Sequence, residues 1–143
     1  MSKQSGFTLV ELMVVVAIVS VLASVATPAY INYINRGRQS SAIEALLRTK
    51  MDQQTFWADN NRYANTIGLL SSFGNSASKA IDTTSGYNVS INAGPPMTAQ
   101  AIRWISGAGT NDRVNILCTS DTAQPVVQTP NALRFSMFSW IFH

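Results

Sequence analysis

The first residue that raises a chemical question is Glu11, a carboxylate near the start of the apolar run GFTLVELMVVVAIVSVLASVATPAY. A charge inside a membrane costs about 2.5–3.5 kcal/mol, so it needs a partner or a function. A cut after Gly6 would create a cation, the α-amino group of Phe7, in the same apolar layer and one helical turn from Glu11. In staggered identical helices that amine can meet Glu11 of the next copy and fix their register. The alternative is a shallow Glu11 that reaches water.

Few other residues could do chemistry. The chain has one cysteine, Cys118, and one histidine, His143, which together cannot form an intrachain disulfide or a zinc site. No paired acidic cluster stands out, so we expect no catalytic residue, no metal and no cofactor. The net charge is +3 with no run of three cations, and we therefore do not expect nucleic acid as a partner. Arg62-Tyr63 and Arg103-Trp104 are the pairs that could stack on single-stranded DNA.

The element that must position Glu11 is the apolar segment Phe7–Ala29. As a helix it would span roughly 35 Å, enough to cross a hydrocarbon core of about 30 Å. Tyr30, Tyr33, Arg36 and Arg38 follow it, in the order expected where a helix leaves lipid. The pattern therefore predicts a membrane-spanning helix, although Lys3 against two arginines does not fix its orientation.

Two alternatives to a membrane span stay open. The segment could be a buried core helix, which a small domain could hardly cover on all sides. It could also be a secretory signal peptide with an apolar region at Leu12–Leu22 and a cleavage site at Ser24-Val25-Ala26. Glu11 at the head of the apolar run, and a helical pattern that resumes beyond the supposed cut, argue against the signal peptide.

The N-terminal residues resemble those of a known family. A short polar leader ending in Gly6, followed by Phe7-Thr8-Leu9-Val10-Glu11-Leu12 and an unbroken apolar run, is similar to the processing signature of type IV pilins and their relatives. The resemblance implies cleavage between Gly6 and Phe7 by a membrane-embedded prepilin peptidase, which also N-methylates Phe7. It implies that Glu11 is the assembly carboxylate and that the topology is N-inside.

The resemblance also bears on Pro28, which matches the proline where pilin helices kink or locally melt when packed in a filament. Its ring removes one backbone hydrogen bond and clashes with the preceding turn. The glycine often present midway along this segment in such pilins is absent, and Ser20 and Ser24 lie nearby instead.

Beyond the apolar segment the helix is predicted to become amphipathic. An apolar stripe at three- and four-residue spacing predicts the face that packs on a sheet: Ile43, Leu46, Leu47, Met51 and Trp57. Glu44, Arg48 and Asp52 step by four along another face, as on a solvated surface. Asp59-Asn60-Asn61 predicts the end of the helix.

The chain after the helix predicts a small sheet. The stretch FWADNNRY is similar to a pattern common after the long helix in minor pilins and pseudopilins, which implies that Tyr63 anchors the chain to the domain. The alternation in GYNVSINAG predicts a strand, and AQAIRWISG and RVNILCTS predict two more, followed by a loop through Pro125 and Pro130. The tail RFSMFSWIFH favours a final strand or, alternatively, an exposed interaction patch.

The predicted fold class is α+β, a long N-terminal helix packed on a small antiparallel β-sheet. The expected segments are a cleaved leader at 1–6, a transmembrane or filament-core helix at 7–34, its amphipathic continuation at 35–58, an αβ loop at 59–86 and the sheet at 87–143.

The predicted function is that of a non-enzymatic structural subunit, a major or minor pilin. It is held in the bacterial inner membrane until it polymerises with itself or other pilins into a surface filament. The resemblance implies prepilin peptidase, the assembly machinery and the cytoplasmic membrane as partners. The alternatives are a pseudopilin of a type II secretion system and a secreted binding protein. Many major pseudopilins bind calcium through a C-terminal acidic loop, where this chain offers only Asp112 and Asp121.

Overall fold

The structure is a computed structural model, and it describes residues 6–74, 80–82, 86–105 and 110–129. One long helix is followed by a short 3₁₀ turn and a five-stranded antiparallel sheet with strands in chain order. The elements are α1 Leu9–Asn60, the 3₁₀ turn Ile67–Leu69, β1 Ala80–Asp82, β2 Tyr87–Asn92, β3 Thr98–Ile105, β4 Thr110–Leu117 and β5 Val126–Val127. The predicted α+β class, a long helix on an antiparallel sheet, is confirmed.

Helix α1 has 52 residues and is therefore about 78 Å long. The helix is continuous through Pro28 and Gly37. At its C-terminal end Asn61 adopts a left-handed conformation, with φ of 53°, and its N–H donates to the carbonyl of Trp57 at 2.8 Å. Asparagine is one of the few residues that tolerate this conformation at a helix end, so the predicted stop cluster contains the residue that terminates the helix.

The second half of α1 packs on the sheet through a face that differs from the predicted stripe. Leu46 is fully buried and Ile43 partly so, but Leu47, Met51 and Trp57 are exposed, Met51 by 67%. For these three residues the predicted core face is wrong. The buried residues of α1 are Asn35, Ala42, Leu46, Thr49, Lys50 and Gln53.

The second half of α1, the sheet and the loops between them pack together as the head of the molecule. The predicted face shifts because polar residues of α1 find hydrogen-bond partners inside this head. Lys50 donates to the carbonyls of Asp121 and Ala123 at 2.7 and 3.0 Å, and Gln53 bonds the main chain of Ala64. Thr49 instead donates to the carbonyl of Ala45 in its own helix. Burial of a polar group costs little once it is hydrogen-bonded. The rotation of the helix therefore follows the partners available on the sheet and loops, which hydrophobic periodicity alone does not contain.

The sheet forms an antiparallel meander whose register aligns one row of small and β-branched residues across all five strands. This row consists of Ala80, Val89, Ala101, Val114 and Val127. On the central strands, residues of this parity face α1 and are buried, whereas Trp104 and Arg113 lie on the outer face. The core therefore lies between α1 and the inner face of β2, β3 and β4.

The two edge strands fall in segments that the sequence predicts as loops. β1 lies within the αβ segment, and β5 lies within the connection through Pro125. Each is only two or three residues long and depends on backbone pairing with a longer neighbour. The middle strands occur where predicted, although β4 begins at Thr110, before the expected Arg113. The predicted final strand at 134–143 lies outside the described residues.

Candidate functional site: the N-terminal half of the long helix

The N-terminus of α1 is closed by a capping box between Thr8 and Glu11. The Glu11 backbone N–H donates to Thr8 Oγ1 at 3.2 Å, while the Thr8 backbone N–H donates to Glu11 Oε2 at 2.9 Å. The Thr8 hydroxyl also donates to Oε2 at 2.8 Å. This reciprocal arrangement satisfies two backbone donors that a helix start would otherwise leave unpaired. Glu11 thus has partners inside its own chain.

Both bonds from Thr8 end on one carboxylate oxygen. Among the described residues, Glu11 Oε1 accepts no hydrogen bond. The cap therefore leaves half of the carboxylate available to a donor from outside the chain. Thr8 was not among the residues singled out from the sequence, although the spacing Thr8-Leu9-Val10-Glu11 is the capping-box pattern and could have identified it.

The predicted cleavage residues lie just before the helix. Phe7 is 85% exposed, and a side chain added at Gly6 would meet no atom within 4 Å. Packing and backbone conformation therefore do not require glycine at this position. A requirement for glycine at this position would come from a protein that recognises the segment.

The rest of the N-terminal half is an exposed apolar rod. Its large side chains are at least half exposed: Leu9, Val10, Leu12, Met13, Val14, Val15, Val16, Ile18, Val19, Val21, Leu22 and Val25. Among the described residues, α1 is the helix long and apolar enough to cross a membrane, and its apolar window is not covered by the head. An apolar surface of this size normally marks a membrane or protein interface.

The hydroxyl groups within this rod are satisfied by the helix itself. Ser20 donates to the carbonyl of Val16 at 2.7 Å, Ser24 to that of Val21 at 2.7 Å, and Thr27 to that of Ala23 at 2.9 Å. Such back-bonding lets Ser and Thr enter an apolar environment without an unpaired hydroxyl. Pro28 lacks an N–H and so leaves the carbonyl one turn earlier without its usual donor.

A buried polar cluster fixes the helix to the head immediately beyond the rod. Asp112 on β4 is fully buried and accepts hydrogen bonds from Tyr87, from Gln39 at 3.0 Å and from Thr129 at 3.3 Å. Nearby, Arg103 donates to Asn35 at 2.8 Å. The bonds of Gln39 and Asn35 join α1 to the sheet, so they set the angle and rotation at which the helix leaves the head.

The electrostatics of the head follow from burial. Burial, reinforced by the Asp112 carboxylate, raises the pKa of Tyr87, and burial also raises the pKa of the Cys118 thiol. Both groups are therefore held in their neutral forms. The described residues contain no group of three metal-ligating side chains, and Asp112 is saturated with donors. Asp112 thus acts as a structural acceptor.

The two arginine–aromatic pairs singled out from the sequence are separated by the fold. Arg103 points inward and lies over the ring of Tyr87 at 5.2 Å, while its neighbour Trp104 is 62% exposed on the outer face. Arg62 lies over the ring of Phe56 at 5.7 Å, and Tyr63 packs beside Trp57. Neither pair forms a joint stacking surface.

A long helix with a capped, apolar and exposed N-terminal half, packed by its other half on an antiparallel sheet, defines the pilin class of proteins. Comparison with known protein families supports this classification. Residues 1–27 match the prokaryotic N-terminal methylation motif, and residues 28–120 match the family described as "Type IV minor pilin ComP, DNA uptake sequence receptor". The chain belongs to the type IV pilins, within that family.

Individual relatives are also type IV pilins. The chain is 39% identical over 95 residues to the type IV major pilin protein PilA of Myxococcus xanthus, which covers 64% of this chain and 40% of PilA. It is 39% identical over 101 residues to the type IV major fimbrial protein FimA of Dichelobacter nodosus, covering 62% of this chain and 63% of FimA. The chain thus spans less than two thirds of the length of these relatives. No solved structure matches it.

Proposed function

We propose that this protein is a structural subunit of a type IV pilus, held in the inner membrane by the first half of α1 until it polymerises through that same half. The observation that carries the proposal is the exposed apolar rod that starts at a capped carboxylate. Each large apolar side chain gains about 1.5–3 kcal/mol when withdrawn from water, so an uncovered rod is not stable in water. Lipid covers it first, and neighbouring helices cover it in the filament.

Processing would prepare the rod for assembly. In the proposed pathway prepilin peptidase removes residues 1–6 between Gly6 and Phe7 and methylates the new amine of Phe7. The segment at 7–34 then spans the membrane with its N-terminus inside, and the remainder forms the extracellular head. A kink at Pro28 on packing is part of this proposal. Catalysis and transport are left to separate machinery, including the assembly ATPase that the family uses.

Glu11 would act as the register device between subunits. Its Oε2 keeps the hydrogen bonds from Thr8, while Oε1 accepts a hydrogen bond from the Phe7 ammonium of an adjacent copy. Pairing therefore does not require the helix cap to break. A charge pair in a dry interior is strongly selective for position, because removal of one partner leaves an uncompensated buried charge. Staggers that leave Glu11 unpaired are thereby disfavoured.

The test compares Glu11→Ala and Glu11→Gln with Glu44→Gln as the matched control. Glu44 is an exposed carboxylate on the same helix, paired with Arg48 at 3.6 Å. We expect both Glu11 variants to be inserted and processed but to be largely missing from sheared filaments, while Glu44→Gln is incorporated normally. Normal incorporation of both Glu11 variants would refute the register mechanism.

Sequencing of the mature N-terminus tests the wider proposal. An N-methylated Phe7 supports membrane anchoring and pilus assembly. A mature chain that begins at Thr27 would instead support release by signal peptidase after Ser24-Val25-Ala26. Deletion of the gene separates the pilus subunit from a secretion pseudopilin, since loss of pili is expected in the first case and loss of secretion in the second.

A second candidate function, DNA binding as a minor pilin, is supported by the description of the matching family. It differs from the sequence-based expectation, which was drawn from the small net charge. The outer face of the sheet offers suitable chemistry: Trp104 and Arg113 are exposed on adjacent strands, one diagonal step apart in the register. Among the described residues, that face of β2, β3 and β4 carries no carboxylate, and it is rich in amides: Asn88, Asn92, Gln100, Asn111 and Asn115.

The DNA candidate is tested by electrophoretic shifts of labelled duplexes, carrying and lacking an uptake sequence, with the purified subunit. Arg113→Ala and Trp104→Ala are expected to weaken binding, and Arg48→Ala, on the helix, serves as the control. Stacking and phosphate contacts of this kind contribute about 1–3 kcal/mol each. Absence of any shift at low salt with the wild-type subunit would exclude DNA as a ligand of the head.

A further inference from the structure

An open groove lies at the far end of the head, where α1, the segment that follows it and the loop after β4 meet. Its volume is about 700 Å³, which lies within the range of about 300–1,000 Å³ that is typical of ligand sites. Five side chains line it: Gln54, Trp57, Tyr63, Thr119 and Asp121. None of them takes part in the proposed assembly through the N-terminal rod.

The helix and the chain after it form one fixed wall. Trp57 is 48% exposed, and its ring lies 6.4 Å from that of Tyr63 at a tilt of 32°. Tyr63 is held in place because the next residue, Ala64, exchanges two buried hydrogen bonds with Gln53, at 2.8 and 2.9 Å. The two aromatic rings therefore form a surface that is ordered before any ligand binds.

The loop after β4 forms the opposite wall and is also fixed. The buried Lys50 ammonium donates to the main-chain carbonyls of Asp121 at 2.7 Å and of Ala123 at 3.0 Å. The Gln54 side chain donates to Asp121 Oδ1 at 2.9 Å. Among the described residues, Asp121 Oδ2 accepts no hydrogen bond, so one carboxylate oxygen remains open.

The side chains that line the groove are aromatic, polar or acidic. No lysine or arginine is among its described lining residues. The Lys50 ammonium is buried behind the loop, where the carbonyls of Asp121 and Ala123 bind it. Arg62, next to Tyr63, lies over the ring of Phe56. Phosphate would be repelled by Asp121, and a neutral ligand could use its open oxygen only as a hydrogen-bond acceptor, without the charge pairing that a cation adds. A cation can use the ring faces and the carboxylate together.

We propose that this groove binds a substituted ammonium group, held against Trp57 and Tyr63 and paired with Asp121. The group belongs either to a small quaternary amine or to a lysine side chain, and the two sources share the same chemistry. This inference goes beyond the filament function, because the site lies on the head and the N-terminal rod does not contribute to it.

The experiment titrates the full mature chain, in detergent micelles, with choline, with Nα-acetyl-lysine amide, whose side-chain ammonium is free, and with the neutral tert-butyl isostere of choline. The readout is the indole N–H resonance of Trp57 in two-dimensional NMR, assigned from Trp57→Phe. We expect choline or the lysine derivative to shift it, with the better of the two identifying the source. The neutral isostere should bind at least about ten-fold more weakly than the better cation, a difference of about 1.4 kcal/mol or more.

Asp121→Asn keeps the backbone carbonyl that Lys50 holds and removes the charge, so the loop should stay in place. It should weaken cation binding about ten-fold, whereas Asp59→Asn, an exposed carboxylate outside the groove, should have no effect. Equal binding of the neutral isostere, an unchanged affinity in Asp121→Asn, or the absence of a response to either cation would overturn the proposal. Filament incorporation of Asp121→Asn is expected to be normal, so failure here is distinct from failure of the pilus function.

Discussion

Gln53 and Ala64 exchange two hydrogen bonds that join the last turns of α1 to the chain that leaves it. Gln53 Nε2 donates to the Ala64 carbonyl at 2.8 Å, and the Ala64 N–H donates to Gln53 Oε1 at 2.9 Å, with both residues fully buried. The amide thus mimics a backbone strand and satisfies both polar groups of a buried residue. The geometry of the helix end depends on this pair.

Gln53→Ala should therefore be strongly destabilising, because it leaves a buried N–H and a buried C=O unpaired. We expect a loss of about 2–4 kcal/mol in the free energy of unfolding, measured by urea denaturation in detergent micelles. Gln54→Ala is the matched control, since its bond to Asp121 is exposed. It should cost less than about 1 kcal/mol. Equal losses in the two variants would contradict the assigned role of Gln53.

The Tyr87–Asp112 contact should make stability fall at alkaline pH. Burial and Asp112 raise the pKa of Tyr87 in the folded chain, whereas the unfolded chain titrates near the ordinary value of about 10. Below that pH both states hold the proton, and above it only the folded state does, so the free energy of unfolding decreases as the pH rises.

Tyr87→Phe removes the titrating group, and the decrease between about pH 9 and about pH 11 should be shallower than in the wild type. Urea unfolding at several pH values measures the slope. Tyr33→Phe, an exposed tyrosine on α1, serves as the control and should keep the wild-type slope. A Tyr87→Phe slope identical to that of the wild type would show that this hydroxyl ionises as easily in the folded chain as in the unfolded chain.

Cys118 should react slowly with thiol reagents while the head is folded. It is 1% exposed, and burial raises its pKa, which lowers the fraction of reactive thiolate. We expect labelling in native conditions to be at least about a hundred-fold slower than in denaturant. Cys118→Ala gives the reagent blank. Rapid native labelling, or a disulfide-linked dimer under oxidising conditions, would contradict the buried position.

Gly6→Val should block processing without affecting the fold. A side chain at Gly6 meets no atom within 4 Å, so stability of the head should be unchanged, while the bulk next to the scissile bond should interfere with the peptidase. Gly37→Ala is the control, because a side chain there also meets nothing. It should be processed normally and should stabilise the helix by up to about 1 kcal/mol. Mass spectrometry of membrane fractions distinguishes the two chain lengths, and normal removal of the leader from Gly6→Val would contradict the proposed cleavage site.

The different burial of Leu46 and Leu47 shows how far hydrophobic periodicity predicts the core face of α1. Periodicity placed both on the core face, but only Leu46 is buried there. The buried face includes Thr49, Lys50 and Gln53. Lys50 bonds the loop after β4, Gln53 bonds the chain that follows α1, and Thr49 bonds its own helix. A hydrophobic pattern does not predict that Lys50 and Gln53 are buried, because their hydrogen-bond partners lie outside the helix.

Local chemistry by itself determined the N-terminal half of this protein. The apolar run, its single carboxylate and the residues around Gly6 and Phe7 specify an uncovered helix, since helix formation and exposure there depend on neighbours within one or two turns. Tertiary structure decided the head: which side of α1 faces the sheet, that Arg103 turns inward while Trp104 turns outward, and that Asp121 lies beside Trp57. These features rest on contacts between residues that are far apart in the sequence. Such contacts form only once the chain has folded, so neighbouring residues do not determine them.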